Sequence, residues 1–125
     1  MHSNSVPQET DRSMVNEIVD EKLLMELYGP PFAAAVQKAA GVMCAYNRVN
    51  GVYACENAFT LKTMLKGRYN FSGFVVSDWE ACHSTSPSLQ AGLDIEMPEG
   101  RYFTADLVLQ PHSLSRYSIP RSPAH

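Results

Sequence analysis

An aspartate at the end of an apolar run is the residue of this chain best suited to chemistry. The run Phe74–Ser77 follows Gly73 and is followed directly by Asp78 and Trp79. A short apolar run without polar alternation is typical of a strand buried on both faces of a parallel sheet. Ligands of parallel α/β folds bind at the carboxyl ends of strands, so this order favours a site at Asp78. The alternative, from these residues alone, is that Asp78 caps the following helix or starts a turn.

Composition restricts the class of protein. The 125 residues, 45% hydrophobic and 18% charged, suffice for one domain with a core. A net charge of −3 without a basic cluster argues against a nucleic acid or an anionic membrane as partner. No apolar run approaches the ~20 residues of a membrane span, and the first residues do not form a secretory signal.

Cysteine usage leaves the compartment open. Cys44, Cys55 and Cys82 are odd in number and contain no Cys-x-x-Cys pair. They are therefore interpreted as neither a disulfide framework nor a zinc site. Asp78, Glu80 and His83 could be combined as metal ligands, but a loop histidine near carboxylates is usually solvated. We expect no metal and no cofactor, since no phosphate-binding glycine loop is present either.

Helices are predicted on both sides of the strands. The first begins at the cap residue Asp20 and ends at Gly29-Pro30, and the second runs from Pro31 to Gly41. A third is capped by Asn57. Shorter helices are expected at 87–91 and 100–109, and residues 110–125 are expected to be a disordered tail.

Two further strands are predicted, at 42–46 and 93–97, with a polar loop containing Asn50-Gly51 after the first. Tyr46 precedes Asp78 by 32 residues, the length of one βαβ unit. This alternation predicts an α/β fold with a parallel sheet, either a small doubly wound sheet or part of a (β/α)₈ barrel. A whole barrel needs ~250 residues, so a partial barrel is favoured.

Three segments resemble glycoside hydrolase family 3, which includes β-glucosidases and β-xylosidases. They are Val-Met-Cys-Ala-Tyr-Asn-Arg-Val-Asn-Gly at 42–51, Gly-Phe-Val-Val-Ser-Asp-Trp at 73–79 and Ala-Gly-Leu-Asp-Ile-Glu-Met-Pro at 91–98. The segment 19–41 resembles the helical lead-in of that family. The resemblance extends over residues 7–103 and implies that residues 1–109 are the C-terminal part of the family's N-terminal barrel domain.

The resemblance implies a role for each matching residue. Asp78 takes the position of the catalytic nucleophile, and Trp79 that of the residue lining the sugar site. Met43 and Tyr46 take the positions that contact the sugar or the nucleophile. His2 resembles the histidine of a Lys-His pair that grips sugar hydroxyls, although Met1 stands in the place of the lysine.

Retaining glycoside hydrolysis needs two carboxyl groups about 5–5.5 Å apart. Asp78 suits the nucleophile, and Tyr46 on the preceding strand could donate a hydrogen bond to it. Trp79 offers a flat apolar face to a sugar ring. Neither Glu80 nor Glu96 is expected to be the acid, which the family usually supplies from a second domain that this sequence does not match.

The sequence therefore predicts a fragment of a retaining β-glucosidase-like hydrolase that acts on a β-glucoside or β-xyloside. Two alternatives remain: an inactive truncated remnant that at most binds sugar, and an unrelated small α/β binding domain. Unpaired sheet edges are expected to promote self-association. The triplet Asn70-Phe71-Ser72 matches a glycosylation acceptor, which matters only in a secreted protein.

Overall fold

The computed structural model describes residues 11–109 and, as a short strand, the backbone of residues 2–3. The predicted tail at 110–125 lies outside the described residues. In chain order the strands are β1 His2–Ser3, β2 Asn16–Glu17, β3 Gly41–Cys44, β4 Arg48–Val49, β5 Val52–Tyr53 and β6 Phe74–Ser77. The α-helices are α1 Glu21–Leu23, α2 Gly29–Val36, α3 Ser86–Ala91 and α4 Ala105–Val108. Leu24–Tyr28 and Phe59–Arg68 are π-helical, and Ala54–Glu56 is a 3₁₀ turn.

The main sheet is parallel, as predicted, and its strand order β1-β3-β6 follows chain order. Its register pairs Gly41 with Phe74 and Cys44 with Ser77. Side chains at alternate positions face opposite sides of a strand, and Val42, Cys44, Val75 and Ser77 are the buried set. Phe74 is 44% exposed, so the expectation that β6 is buried on both faces is only partly met.

The predicted strand at 93–97 is wrong in extent, because it reduces to one parallel bridge between Val76 and Ile95. Ile95 N–H donates to Val75 O at 3.0 Å, and Ser77 N–H donates to Ile95 O at 2.9 Å. The next available donor, Met97 N–H, bonds to the Ser77 hydroxyl at 2.9 Å instead of a backbone carbonyl. A side chain thus replaces the backbone ladder and ends it.

The helix predicted from Asp20 begins where expected but does not end at Gly29-Pro30. The Asp20 carboxylate accepts Lys22 N–H at 2.8 Å and Leu23 N–H at 3.3 Å, as an N-cap does. The π-helical residues Leu24–Tyr28 then lead directly into α2, with Gly29 itself in the right-handed helical region. Proline lacks an N–H, but the first turn of a helix needs none, so Pro30 is tolerated there.

The segment predicted as a polar loop after Tyr46 is a β-hairpin. β4 and β5 pair antiparallel, and β2 pairs parallel to β4. Asn50 and Gly51 form the turn with φ of 51° and 87°, the positive values that a two-residue hairpin turn requires. The Asn50 side chain also bonds both backbone groups of Val19 at 2.9 Å, which fastens the hairpin to the chain before α1.

The ends of two other helices agree only in part with the sequence-based prediction. Asn57 caps the helix Phe59–Arg68 as predicted, accepting Phe59 N–H at 3.1 Å and Thr60 N–H at 3.2 Å. The helix predicted at 100–109 is reduced to α4, which is capped by Thr104. The first residues of the predicted helix form a turn instead, because the Glu96 carboxylate accepts hydrogen bonds from the N–H groups of Tyr102 and Phe103.

A disulfide joins Cys44 and Cys55, so the interpretation of the cysteines as unpaired was wrong. Their Cα atoms are 5.2 Å apart, within the range that a disulfide spans. The hairpin returns the chain to the end of β3, and this return brings together two cysteines that are 11 residues apart. Cys82 is the free, buried cysteine.

The core lies between the main sheet and the helix Phe59–Arg68, with α3 closing one end. Its members include Val42, Cys44, Cys55, Leu61, Leu65, Phe71, Val75 and Leu93. No helix among residues 11–109 combines the length and apolar character that a membrane crossing requires.

The disulfide predicts the thiol count of the chain. Purified without reductant and then denatured, the protein should show one reactive thiol, from Cys82, and three after reduction. Reduction should lower the free energy of unfolding by about 2–4 kcal/mol, because the unfolded chain regains freedom. Ellman titration and urea unfolding at one fixed protein concentration measure these quantities.

The matched control is Cys82→Ser, which should leave no reactive thiol before reduction and the same loss of stability on reduction. Three reactive thiols in the denatured, unreduced parent would show that the bond does not form.

Candidate active site

Asp78 and Tyr46 meet at the carboxyl edge of the main sheet. Asp78 follows β6 directly, Tyr46 lies two residues beyond β3, and the two strands are adjacent and in register. Tyr46 O–H donates to Asp78 Oδ1 at 3.0 Å, so the predicted hydrogen bond is present. The Asp78 backbone is held by its own N–H, which donates to Cys44 O at 3.1 Å.

The Asp78 carboxylate has a second donor and does not cap a helix. Trp79 N–H donates to the same Oδ1 at 2.7 Å. The next helix, α3, begins only at Ser86, and Thr85 is its cap residue, so helix capping by Asp78 is wrong. Asp78 does start a turn, because Ala81 N–H donates to Asp78 O at 3.0 Å. Two donors on one oxygen orient the carboxylate and stabilise its ionised form.

Arg12 is a charged neighbour that the sequence did not reveal. Its guanidinium carbon lies 5.2 Å from the centre of the Tyr46 ring, at cation–π distance. The pKa of Tyr46 is raised, first by burial and then by the hydrogen bond to Asp78 and the charge of Asp78, while the charge of Arg12 opposes the rise. The polar sequence before residue 18 contains no pattern that predicts this contact.

The remaining predicted site residues lie at or near this edge. Trp79 is 53% exposed, so its indole face can stack against a ligand. Met43 is half-buried in β3 and lies on the opposite face from Val42 and Cys44. The backbone of His2 pairs with Met43 across the β1–β3 ladder. The structure therefore brings Asp78, Tyr46 and Trp79 together and places Met43 and His2 on the adjoining strands.

Of the two glutamates considered as general acids, Glu96 has a structural role and Glu80 is exposed. The Glu96 carboxylate accepts Tyr102 N–H at 2.9 Å and Phe103 N–H at 2.7 Å. It therefore holds the turn before α4. Glu80 is exposed and left-handed, with φ of 61°, and its N–H donates to Met97 O at 2.9 Å.

A second aromatic group lies in the loop after Asp78. His83 stacks on Tyr53 with ring centres 3.8 Å apart, and the Arg48 guanidinium lies 4.4 Å from the Tyr53 ring. Burial lowers the pKa of His83, while the charge of Glu56 opposes this shift. Asn50-Gly51 was the one signal that could have revealed this stack, because the hairpin carries Arg48 and Tyr53.

Within residues 11–109 no group of three or more His, Cys, Asp or Glu side chains is arranged to hold a metal ion. His83, which the sequence allowed as a ligand beside Asp78 and Glu80, is instead engaged with Tyr53.

The parallel sheet with its helices is an α/β fold, and residues 5–115 match the family described as "Glycosyl hydrolase family 3 N terminal domain". The chain belongs to this family. It is 47% identical over 92 residues to β-glucosidase cel3A of Pyricularia oryzae, a match that covers 73% of this chain and 13% of that protein.

Solved structures agree with this assignment. A family 3 β-glucosidase of Bifidobacterium adolescentis superposes with a TM-score of 0.80 at 35% identity, covering 96% of this chain and 18% of that one. β-Glucosidase 3B of Thermotoga neapolitana, solved in complex with glucose, gives 0.74 at 41% identity, covering 80% of this chain and 14% of that one. The alternative of an unrelated small binding domain is therefore wrong, and the chain spans less than a fifth of each of these relatives.

The contact between Tyr46 and Asp78 predicts how the tyrosine titrates. Asp78→Asn removes a negative charge and a strong acceptor, so the pKa of Tyr46 should fall. It should stay above its ordinary value, because burial is the largest cause of its elevation. Ultraviolet difference titration measures this, with Tyr46→Phe identifying the transition that belongs to Tyr46.

Glu80→Gln is the matched charge control. The Glu80 charge is the smallest of the effects on Tyr46, so its removal should shift the pKa less than Asp78→Asn does. Equal shifts in the two variants would contradict the hydrogen bond as a cause.

Proposed function

We propose that this chain carries the nucleophile and part of the sugar site of a retaining β-glucosidase. The observation that carries the proposal is the Asp78 carboxylate at a strand end, bonded by Tyr46 O–H at 3.0 Å and Trp79 N–H at 2.7 Å. An oriented, ionised carboxylate beside an exposed aromatic face is what a glycosyl nucleophile needs. The β-glucosidases among its relatives favour a β-glucoside over a β-xyloside as substrate.

In the proposed reaction an Asp78 oxygen attacks the anomeric carbon of the sugar. The bond from that carbon to the glycosidic oxygen breaks, and the leaving oxygen takes a proton from a general acid. Water then attacks the anomeric carbon of the covalent glycosyl–Asp78 ester and gives its proton to the conjugate base of that acid. The bond from the anomeric carbon to the Asp78 oxygen breaks, which frees the carboxylate and releases the sugar with retained configuration. Tyr46 is the positioning donor, because its O–H holds the attacking carboxylate from the end of the neighbouring strand.

The other residues serve binding. Trp79 stacks against the sugar ring through its exposed indole. Met43 contacts the sugar or the nucleophile from the neighbouring strand, and His2 bonds a sugar hydroxyl. These roles are proposed from family position, and the strand order β1-β3-β6, which places β3 between β1 and β6, supports them.

The general acid is proposed to lie outside this chain. Glu96 is committed to two backbone N–H groups at 2.7 and 2.9 Å, and moving it would leave those donors unsatisfied. This observation favours, as a second candidate function, an inactive remnant that binds sugar without hydrolysing it.

A covalent trap tests the nucleophile. With this segment grafted into a full-length relative, a 2-fluoro glycoside should label Asp78, because the fluorine slows hydrolysis of the ester. Asp78→Asn should abolish labelling, whereas Glu80→Gln should retain it. Fragment-ion sequencing of the tryptic peptide 69–101 locates the label, and a sugar on Glu80 or Glu96 would overturn the assignment.

The chain by itself should neither hydrolyse aryl β-glucosides nor remain a monomer. General acid catalysis typically contributes about 10²–10⁴-fold, and no acid is proposed within the chain. In the described part, β1 pairs only with β3, and β6 meets only the Ile95 bridge on its other side. Such edges recruit further strands, with Phe74 44% and Ile95 40% exposed beside them.

A glucosidase assay and size-exclusion chromatography on one preparation decide this. A monodisperse monomer whose turnover is abolished by Asp78→Ala would show that the chain is a complete enzyme rather than a part of one.

A further inference from the structure

One sequence motif has no part in the proposed hydrolysis. Asn70-Phe71-Ser72 is the only Asn-x-Ser/Thr triplet in the 125-residue sequence. It lies in the turn between the helix Phe59–Arg68 and β6. Such triplets occur by chance, so the triplet becomes informative only through its surroundings.

The turn presents both reactive positions of the triplet to solvent. Phe71 is 5% exposed and packs in the core, while Asn70 and Ser72 on either side of it are exposed. Asn70 has φ of 53°, a left-handed conformation that asparagine tolerates in turns. Its carboxamide forms no hydrogen bond with any other group of residues 11–109, so no hydrogen bond to those residues must break when it is modified.

The disulfide supplies an independent observation about the compartment. Cys44 and Cys55 are bonded and fully buried, and structural disulfides persist in oxidising environments such as the lumen of the endoplasmic reticulum. N-linked glycosylation belongs to the same secretory route. The exposed acceptor triplet and the core disulfide are therefore both typical of a protein that passes through the secretory route.

We propose that Asn70 is an N-glycosylation site. The donor is a lipid-linked oligosaccharide, in which an N-acetylglucosamine C1 is esterified to a lipid pyrophosphate. The Asn70 Nδ2 atom forms a bond to that C1, the bond from C1 to the pyrophosphate oxygen breaks, and the lipid pyrophosphate leaves. Nδ2 loses one proton in the exchange, and no oxidation occurs.

The position of Asn70 keeps the glycan away from Asp78. Asn70 precedes the amino end of β6, whereas Asp78 follows its carboxyl end. The strand has four residues, which at ~3.3 Å per residue separates the two ends by roughly 10 Å. A glycan on Asn70 leaves the sheet from the opposite edge, so it increases the polar surface without covering the proposed sugar site.

Two measurements test the proposal. The full chain, translated behind a cleavable secretory leader in the presence of microsomes, should show a one-glycan mobility shift that endoglycosidase H removes. Asn70→Gln and Ser72→Ala should lose the shift, and Ser72→Thr should keep it. In protein isolated from its own source, glycan removal in heavy-oxygen water should convert Asn70 to labelled Asp within the tryptic peptide 69–101.

Asp11→Asn is the matched control, because it completes a triplet with Arg12 and Ser13 at an exposed residue whose φ of 55° matches that of Asn70. In the parent background, Asp11→Asn should produce a second mobility shift. In the Asn70→Gln background, it should produce a single mobility shift. A parent without a glycan, in microsomes that modify this variant, would overturn the proposal. Unlabelled Asn70 throughout the natural protein would overturn it equally.

Discussion

The pairing of β3 with β6 is the interaction on which the candidate site depends. Four consecutive residues of each strand are paired in parallel, so the two strands end at the same edge. Asp78 N–H continues this ladder by donating to Cys44 O. A slip of β6 by one residue would turn Val75 out of the core and its neighbours into it. The burial of the core thus fixes the register, and the register fixes the distance between Tyr46 and Asp78.

Much of this arrangement could be predicted, because it depends on local patterns. The apolar run before Asp78, the caps at Asp20 and Asn57 and the 32-residue spacing between Tyr46 and Asp78 each reflect chemistry within one segment. Parallel pairing then follows from the alternation of strands and helices. Family 3 motifs added the roles, which strand geometry alone does not assign.

What could not be predicted depends on contacts between distant segments or on single hydrogen bonds. The Asn50-Gly51 turn brings Cys55 back to Cys44, so missing the hairpin also meant missing the disulfide and the stack of Tyr53 on His83. Arg12 lies over the Tyr46 ring although the two residues are 34 positions apart in the sequence, and β2, just after Arg12, pairs with β4 just after Tyr46. The strand predicted at 93–97 ends early because the Ser77 hydroxyl accepts a hydrogen bond from Met97 N–H. No periodic pattern in the sequence predicts this single hydrogen bond.

The roles proposed for the groups around Asp78 agree with the same geometry. Donors to the carboxylate must lie within about 3 Å of it, so they come from Trp79 and from the adjacent strand. A proton donor to the leaving group must instead lie on the far side of the sugar, since a retaining site separates its two carboxyl groups by about 5–5.5 Å. One strand pair can hold the nucleophile and its donors, but the acid needs an element that faces this edge across the sugar. The part of the site held here is therefore the part that two neighbouring strands can build.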